Sequence, residues 1–240
     1  MRYKRDSFLI EGLKNSYEAL KADQKLSTLY FSGEVQNNLL DRTLDLADKK
    51  QIQIRKIPHK DLEQVSTLVN PEGIICIGKL TGTDKQPQLP RNSQALFLYQ
   101  INDPGNLGTI LRTAAWFGLS NIILSRGAVD PYNPKVIRAS MGGIFHSKIF
   151  RNIDFQEIFE VARKNDLRII AADMSGKNIN RLSNLPDNFI LCMGSESHGL
   201  PESIMSQADQ ILSIPRPGKG ESLNLAISTG ILIKDLMISQ

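Results

Sequence analysis

The sequence predicts an α/β fold in which a C-terminal parallel sheet follows a smaller N-terminal α/β unit. From residue 95 onward, short apolar runs alternate with stretches in which apolar residues recur every three to four positions. This alternation is typical of strand–helix repeats. The apolar runs are continuous, as in strands that are covered on both faces. Before residue 80 the same alternation occurs over a shorter length, and it predicts the second unit.

The N-terminal domain, residues 1–80, is predicted to contain three helices and three strands. In residues 6–21, apolar residues at positions 9, 10, 13, 17 and 20 share one helical face, which predicts a helix capped by Asp6 or Ser7. The other elements are the strands LSTLYFS, IQIRKI and GIICIG and the helices NNLLDRTLDLADKK and HKDLEQVSTL.

A polar stretch separates the two predicted domains. Residues 79–94, KLTGTDKQPQLPRNSQ, contain two prolines and Gly82 and show no apolar period. We interpret residues 81–94 as a linker. The alternative is a long loop inside a single domain.

The C-terminal domain, residues 95–240, is predicted to alternate six strands with five helices. The predicted strands are ALFLYQ, NIILS, HSKIFR, LRIIAAD, FILCMGS and QILSIP. The predicted helices are NLGTILRTAAWFG, NPKVIRASMGG, DFQEIFEVARKND, PESIMSQA and SLNLAISTGILIKDLMI.

The composition indicates a folded protein with a modest positive charge. Hydrophobic residues make up 41% of the 240 residues and charged residues 22%, so a packed core is expected and wholesale disorder is excluded. The formal net charge of +4 permits an RNA, DNA or phosphate-bearing partner without demanding one.

Cysteine and histidine usage predicts no metal site. Cys76 and Cys192 lie inside apolar runs, which favours buried, inert thiols. The three histidines are scattered singly, without the spacing of zinc ligands. The N-terminus does not resemble a signal peptide, and no apolar run approaches the roughly 20 residues of a membrane span. A cytoplasmic protein is therefore expected.

The first candidate site follows the strand ALFLYQ. Residues 102–108, NDPGNLG, place Gly105 and Gly108 at the start of a helix, where backbone can approach a ligand and free amides suit an anion. Asn106 is the predicted cap, and a plain turn with a cap is the alternative. Further along the helix, Arg112 stands among apolar neighbours, which favours contact with a phosphate or carboxylate over a surface arginine that only snorkels.

The second candidate site is GSESHG, residues 194–199, at the end of the strand FILCMGS. Glu196 and His198 suggest general acid–base chemistry. A hydrolase is not favoured, because the spacing is not G-x-S-x-G. A polar loop at the start of a helix is the alternative.

The third candidate site is the loop between the strand QILSIP and the last helix. It is rich in glycine and proline, Arg216 and Lys219 add positive charge, and Ser222 or Glu221 is predicted to cap the helix. This composition suggests one wall of a nucleotide pocket, and a plain linker is the alternative.

Together these three stretches resemble, in order, the motifs of the SpoU/TrmH family, the 2′-O-ribose RNA methyltransferases of the SPOUT class. The similar stretches are NDPGNLGTILRTAAWFG, ILCMGSESHGLP and IPRPGKGESLNLAISTGI, within residues 96 to about 238. The N-terminal DSFLIEG…EAL resembles the substrate-binding extension of rRNA-directed members, a ribosomal-protein-like α/β unit.

The resemblance implies a fold that periodicity does not give, namely a parallel sheet whose C-terminal segment forms a deep trefoil knot. It also implies that S-adenosylmethionine binds in the knot, largely to backbone groups, with its adenine against Leu191 and Leu223. A homodimer is implied as well, and the apolar last helix fits such an interface or burial in the core. The implied cofactor contacts are Leu191, Met193, Gly194, Ile214, Ser222, Leu223 and Asn224.

Arg112 is the catalytic arginine that the resemblance implies. A guanidinium is a poor base, so we expect Arg112 to clamp an RNA phosphate and orient the 2′-hydroxyl rather than remove a proton. Asn106 and Glu196 are implied to hold the loops, and Asn224 and Ser222 to contact the ribose. The implied reaction is attack of the ribose oxygen on the sulfonium methyl, without a metal.

The expected substrate is 23S-type rRNA, because the N-terminal extension resembles that of rRNA-directed members. Methylation of tRNA is one alternative, and a catalytically silent RNA-binding or ribosome-assembly protein is another. A dinucleotide-dependent enzyme is a further rival, although the G-x-G-x-x-G spacing is absent. One departure from the third motif, Arg216-Pro217 after Pro215 where Ile-Pro-Met is common, is expected to alter RNA contacts more than the cofactor pocket.

Overall fold

The computed structural model describes residues 6–80, 86–181 and 185–238, and within them the chain forms two sheets. The first belongs to the N-terminal unit, residues 6–80. Its strands are β1 Ser7–Glu11, β2 Leu26–Phe31, β3 Gln53–Lys56 and β4 Ile74–Lys79, and its helices are α1 Leu13–Lys21, α2 Asn38–Lys49 and α3 His59–Val65. The strand order is β1-β4-β2-β3, with β2 and β3 parallel and the other pairs antiparallel.

The helix predicted over residues 6–21 is wrong in its first half. That half is the edge strand β1, in which Phe8 and Ile10 alternate into the core. Gly12 follows with φ +93, a left-handed conformation that glycine adopts without strain, and α1 starts only after it. The apolar positions fit a helix by spacing, but tertiary pairing with β4 decides for a strand.

The second sheet belongs to the C-terminal unit, residues 86–238. Its strands are β5 Gln94–Leu98, β6 Asn121–Ser125, β7 Lys148–Ile153, β8 Arg168–Asn178, β9 Phe189–Met193 and β10 Gln210–Ser213. Its helices are α4 Pro104–Trp116, α5 Pro134–Ser140, α6 Phe155–Asn165, α7 Glu202–Met205 and α8 Leu225–Ile238. The order is β10-β8-β9-β5-β6-β7 and every neighbouring pair is parallel, so the predicted parallel sheet is confirmed.

Helices cover both faces of this sheet. Along β5, Leu96 and Leu98 point into one hydrophobic cluster with residues of α4 and α8, whereas Ala95 and Phe97 point into a second cluster with residues of α6. The first cluster continues into the N-terminal sheet through Phe8 and other buried residues. The two units therefore share one continuous core rather than standing apart.

The end of the predicted linker packs onto the second sheet. Residues 81–85 of that linker lie outside the described residues. Leu89, further along, is buried in the second cluster. Its burial ties residues just before β5 to the C-terminal unit.

The two cysteines are buried free thiols, as predicted. Removal from water raises the pKa of Cys76 and of Cys192 to about 12, because an apolar environment disfavours the thiolate. Among the described residues, no helix is long and apolar enough to cross a membrane, and no group of three His, Cys, Asp or Glu side chains is arranged to hold a metal ion.

Candidate functional site

The candidate site lies at the switch point of the second sheet, between β5 and β9. The chain passes from β5 to β6 on one side, while β9 lies on the other side. Ligands of open parallel sheets bind in the crevice that such a reversal leaves at the carboxyl ends of the strands. Leu98 pairs with Met193, and the amide of Tyr99 donates to the Met193 carbonyl at 2.9 Å. The first and second motifs therefore emerge side by side.

Asp103, not Asn106, caps helix α4. The Asp103 side chain accepts a hydrogen bond from the Asn106 amide N–H at 2.7 Å, with Pro104 in the first turn. The predicted cap at Asn106 is therefore wrong. Because Asp103 satisfies the helix end, the Asn106 side chain is free to reach other loops.

Asn224 caps the last helix, in place of the predicted Ser222 or Glu221. Its Oδ1 accepts from the backbone amides of Ala226 and Ile227 at 2.9 and 3.3 Å. These amides can only donate, so the oxygen of the Asn224 side chain must face them. Its Nδ2 is therefore left pointing outward as a donor.

A relay of hydrogen bonds joins the three motif loops through this donor. Asn224 Nδ2 donates to Asn106 Oδ1 at 3.0 Å, and Asn106 Nδ2 donates to Glu196 Oε1 at 2.9 Å. The orientation of each amide follows from the one before it, and the relay ends on a carboxylate, which only accepts when ionised. Three of the four predicted catalytic residues thus lie in direct contact.

Glycine is required at position 194 because the backbone of Gly199 and Leu200 passes very close to it. Ser195 and Gly199 pair as a small antiparallel bridge, which folds the second motif back on itself. A Cβ on Gly194 would lie 2.1 Å from the Gly199 carbonyl carbon and 2.3 Å from the Leu200 nitrogen. No other residue fits this position without moving the bridge.

Glu196 and His198 do not form an acid–base pair. Both are exposed, and the backbone amide of His198 donates to Ser195 Oγ at 3.3 Å. No hydrogen bond joins the two side chains in the part of the chain that the structure describes. Glu196 instead serves as the acceptor of Asn106.

The third motif presents its backbone to solvent. Residues 215–224 are all exposed, and within the described residues no backbone amide from 216 to 223 has a hydrogen-bond partner. The positions that a Cβ would take on Gly218 and Gly220 have no neighbour within 4 Å. Unpaired donors in an open loop beside the relay are suited to hold a polar ligand through main-chain groups.

The other predicted cofactor residues surround this region at different depths. Met193 and Gly194 are buried, Ile214 is half-buried, Ser222 is exposed, and Leu223 is 51% exposed. Leu191 is 0% exposed inside the core, and its contact with an adenine stays a prediction.

Arg112 lies on the exposed side of α4. Its neighbours Ile110 and Leu111 turn into the core, while the guanidinium is exposed and makes no hydrogen bond or ion pair within residues 6–80, 86–181 and 185–238. Backbone packing fixes its base, because a Cβ on Gly143 would fall 2.8 Å from the Arg112 Cα. Packing therefore holds the backbone of Arg112 in place, while its guanidinium faces solvent. Sequence reasoning missed Gly143, since a glycine that faces another helix leaves no local signal.

A groove runs between α4 and α8 next to the site. It has a volume of about 630 Å³ and is lined mainly by Thr109, Thr113, Phe117, Ile227 and Ile231. At its edge, large apolar side chains face solvent, with Trp116 84% and Ile227 56% exposed.

Comparison with known proteins places both units of the chain. A family model described as the SpoU rRNA Methylase family matches residues 93–234, more than half of the chain, and a model described as RNA 2′-O ribose methyltransferase substrate binding matches residues 9–80. A tRNA/rRNA methyltransferase of Archaeoglobus fulgidus, itself uncharacterized, is 29% identical over 222 residues, which cover 92% of this chain and 95% of that protein.

Two further relatives are similar over nearly the whole chain. The 23S rRNA (guanosine(2553)-2′-O)-methyltransferase RlmP of Bacillus subtilis is 25% identical over 235 residues, 98% of this chain and 90% of that protein. The crystal structure of an AdoMet-bound rRNA methyltransferase from Sinorhizobium meliloti is 28% identical, with a TM-score of 0.83 over 98% of this chain and 88% of that one.

Proposed function

This chain belongs to the SpoU rRNA Methylase family, and we propose that it is an S-adenosylmethionine-dependent RNA 2′-O-ribose methyltransferase acting on 23S-type rRNA. The relay from Asn224 through Asn106 to Glu196 is the observation that carries this proposal. It gathers the three motif loops at one edge of the sheet, as a single ligand site requires. The names of the RlmP relative and of the substrate-binding model support the ribose and the rRNA target.

S-adenosylmethionine fits the groups that the loops present. It supplies a methyl group on a positively charged sulfur, and its nucleoside and amino-acid parts need many hydrogen-bond partners. The unpaired amides between residues 216 and 223 offer donors, and the tight turn at Gly194 brings backbone close without a side chain between. The residues proposed to line this pocket are Met193, Gly194, Ile214, Ser222, Leu223 and Asn224.

Arg112 is proposed to hold the acceptor. An exposed guanidinium that has no partner among the described residues can form paired hydrogen bonds to an RNA phosphate, and this contact orients the 2′-hydroxyl. The ribose oxygen bonds to the methyl carbon as the carbon–sulfur bond breaks, the electron pair stays on sulfur, and the hydroxyl proton passes to solvent water. Asn106, Glu196 and Asn224 keep the loops in the geometry that aligns these atoms.

Domain roles follow from this assignment. We propose that residues 1–80 bind the RNA substrate, that residues 81–94 link the domains, and that residues 95–240 carry out catalysis. A cytoplasmic location remains a prediction.

The trefoil knot is also a proposal for this chain. The last strand in sequence, β10, lies beside β8 rather than β9, and it passes so close that a Cβ on Gly176 would be 2.7 Å from the Ile211 backbone. The strand β10 therefore packs tightly on β8 before the chain reaches α8, as a threaded C-terminal segment would. A crystal structure with continuous density from residue 170 to 238 tests the proposal, and a path without a threaded loop would reject it.

The activity is tested with S-adenosylmethionine carrying a labelled methyl group. Purified protein is incubated with separate rRNA and tRNA pools, and label should enter rRNA at ribose positions that become resistant to alkaline cleavage. Label in tRNA alone would reject the rRNA assignment. Binding of RNA without any methyl transfer would support a silent RNA-binding protein instead.

We also propose that the protein is a homodimer joined through the groove between α4 and α8. The helix α8 is apolar on nearly every side, yet Ile227 on α8 and Trp116 on α4 are exposed. Exposed apolar patches of this kind usually mark a protein interface, and a second copy presents the same apolar surface.

The oligomeric state is tested by light scattering after size-exclusion chromatography. The wild type is expected to have the mass of two chains, and the double variant Trp116→Glu, Ile227→Glu that of one, because two carboxylates would be buried in the interface. The matched control is Val69→Glu, an exposed apolar residue in the N-terminal unit. A monomeric wild type, or a dimer that both charged residues leave intact, would refute this interface.

A further inference from the structure

An ion pair between a buried glutamate and a half-buried arginine joins the N-terminal and C-terminal units. Glu11, at the end of β1, has a side chain only 1% exposed, and Arg138 of α5 donates to its Oε2 at 3.2 Å. Glu11 also accepts from Ser66 Oγ at 2.8 Å and from the Thr67 amide at 2.7 Å. A carboxylate taken out of water needs such donors and a cation. Among the described residues, Arg138 is the cation that forms an ion pair with it.

Arg138 is held by the N-terminal unit at two points. Besides Glu11, its Nη1 donates to Thr67 Oγ1 at 2.8 Å. Close by in sequence, Tyr132 packs its ring on Phe8 of β1 with centroids 4.6 Å apart, and a Cβ on Gly142 would fall 2.7 Å from the Glu18 Cβ of α1. Residues 132–142, which include α5, therefore pack on the N-terminal unit through several contacts.

The same segment packs against the helix that carries Arg112. A Cβ on Gly108 of α4 would lie 2.4 Å from the Ala139 Cβ and 2.7 Å from the Val136 carbonyl oxygen of α5. Gly143, just beyond α5, meets the Arg112 backbone in the same way, at 2.8 Å from the Cα. Backbones this close leave no room for one helix to shift without the other.

We propose that Arg138 is a positioning residue, which fixes the RNA-binding unit relative to Arg112 through its ion pair with Glu11. The proposal rests on the proposed function for its catalytic consequence. The ion pair adds a directional contact to the core that the two units share, and this contact specifies one arrangement of the units. RNA that is bound to the N-terminal unit then lies at a fixed distance and angle from Arg112.

The arrangement of the units is tested without RNA or cofactor. Spin labels are attached through Lys49→Cys on α2 and Lys164→Cys on α6, both exposed positions, while Cys76 and Cys192 stay buried. The labelled chains are mixed with an excess of unlabelled chains, so that a homodimer carries at most one labelled chain. Double electron–electron resonance should then give one narrow distance in the wild-type background and a broadened or displaced one with Arg138→Ala. The matched control is Lys135→Ala, an exposed cation on the same helix, which should keep the narrow distance.

The catalytic consequence is tested by steady-state kinetics with an rRNA fragment. Arg138→Ala should lower kcat/KM for RNA by roughly 10²-fold, the effect of displacing reacting groups by about 1 Å, with S-adenosylmethionine affinity unchanged. Arg138→Lys should restore part of the loss, since it returns the charge. Lys135→Ala should match the wild type.

Two outcomes would overturn the proposal. One is a spin-label distance in Arg138→Ala that equals the wild-type distance. The other is a broadened distance together with a wild-type kcat/KM for RNA. If Arg138→Ala does not fold, Glu11→Gln, which removes the charge and keeps the shape, is measured in its place. An inactive wild type would refute the proposed function, whereas the spin-label distances would still decide whether Arg138 fixes the units.

Discussion

Replacing Arg112 with alanine is expected to lower methyl transfer to RNA by roughly 10²- to 10³-fold, the usual cost of deleting one preorganised contact to a transition state. The guanidinium is exposed and outside the relay, and the packing of α4 is carried by residues such as Ile110 and Leu111. The fold and the cofactor pocket should therefore survive the change. Single-turnover rates with labelled S-adenosylmethionine measure the loss, and calorimetry measures cofactor affinity, which should stay within a few-fold.

The matched control for this variant is Arg163→Ala. Arg163 is an exposed arginine near the end of α6, and α6 covers the opposite face of the sheet from α4. It should retain wild-type turnover. A large loss of cofactor binding in Arg112→Ala, or turnover close to that of Arg163→Ala, would contradict the role assigned to Arg112.

Gly194→Ala is expected to weaken cofactor binding, the property that Arg112→Ala should leave intact. The new Cβ would overlap the backbone of Gly199 and Leu200 at 2.1 and 2.3 Å, and backbone cannot rotate away as a side chain can. The bridge between Ser195 and Gly199 must open, which should cost about 1–3 kcal/mol of stability and displace Glu196 from Asn106. Calorimetric titration with S-adenosylmethionine should show affinity lowered by at least roughly tenfold, the equivalent of about 1.4 kcal/mol.

Gly220→Ala separates this clash from the general cost of replacing a glycine. Its Cβ would meet no atom within 4 Å, so its thermal unfolding should match the wild type. If Gly194→Ala also melts like the wild type and binds the cofactor normally, the close packing of the second motif is not essential to the site.

Much of the fold could be predicted from periodicity and composition. The strands and helices after residue 95 occur as expected. A strand that is buried on both faces has a continuous apolar run, and a helix that is buried on one face has apolar residues every three to four positions. Both patterns can be read from a short stretch of sequence. The region of residues 6–21 could not be assigned in the same way. Its apolar spacing fits a helix, and pairing of β1 with the distant β4 overrode that local preference.

The candidate site was predictable in its members but not in their contacts. The motifs pointed to Asn106, Arg112, Glu196 and Asn224, whereas the helix caps were misassigned. Asp103 competes successfully with Asn106 for the end of α4. The burial of Leu191, by contrast, follows from its place in the continuous apolar run FILCMGS.

By itself the sequence determined the α/β class, the parallel C-terminal sheet, the buried thiols and the three loops that carry the family's motifs, since each leaves a pattern within a short stretch of chain. Only the tertiary structure decided which side chains meet. The bonds Asn106–Glu196, Asn224–Asn106 and Arg138–Glu11 span 90, 118 and 127 residues of sequence. Such contacts depend on strand order and backbone approach across the whole fold, and no local spacing encodes them.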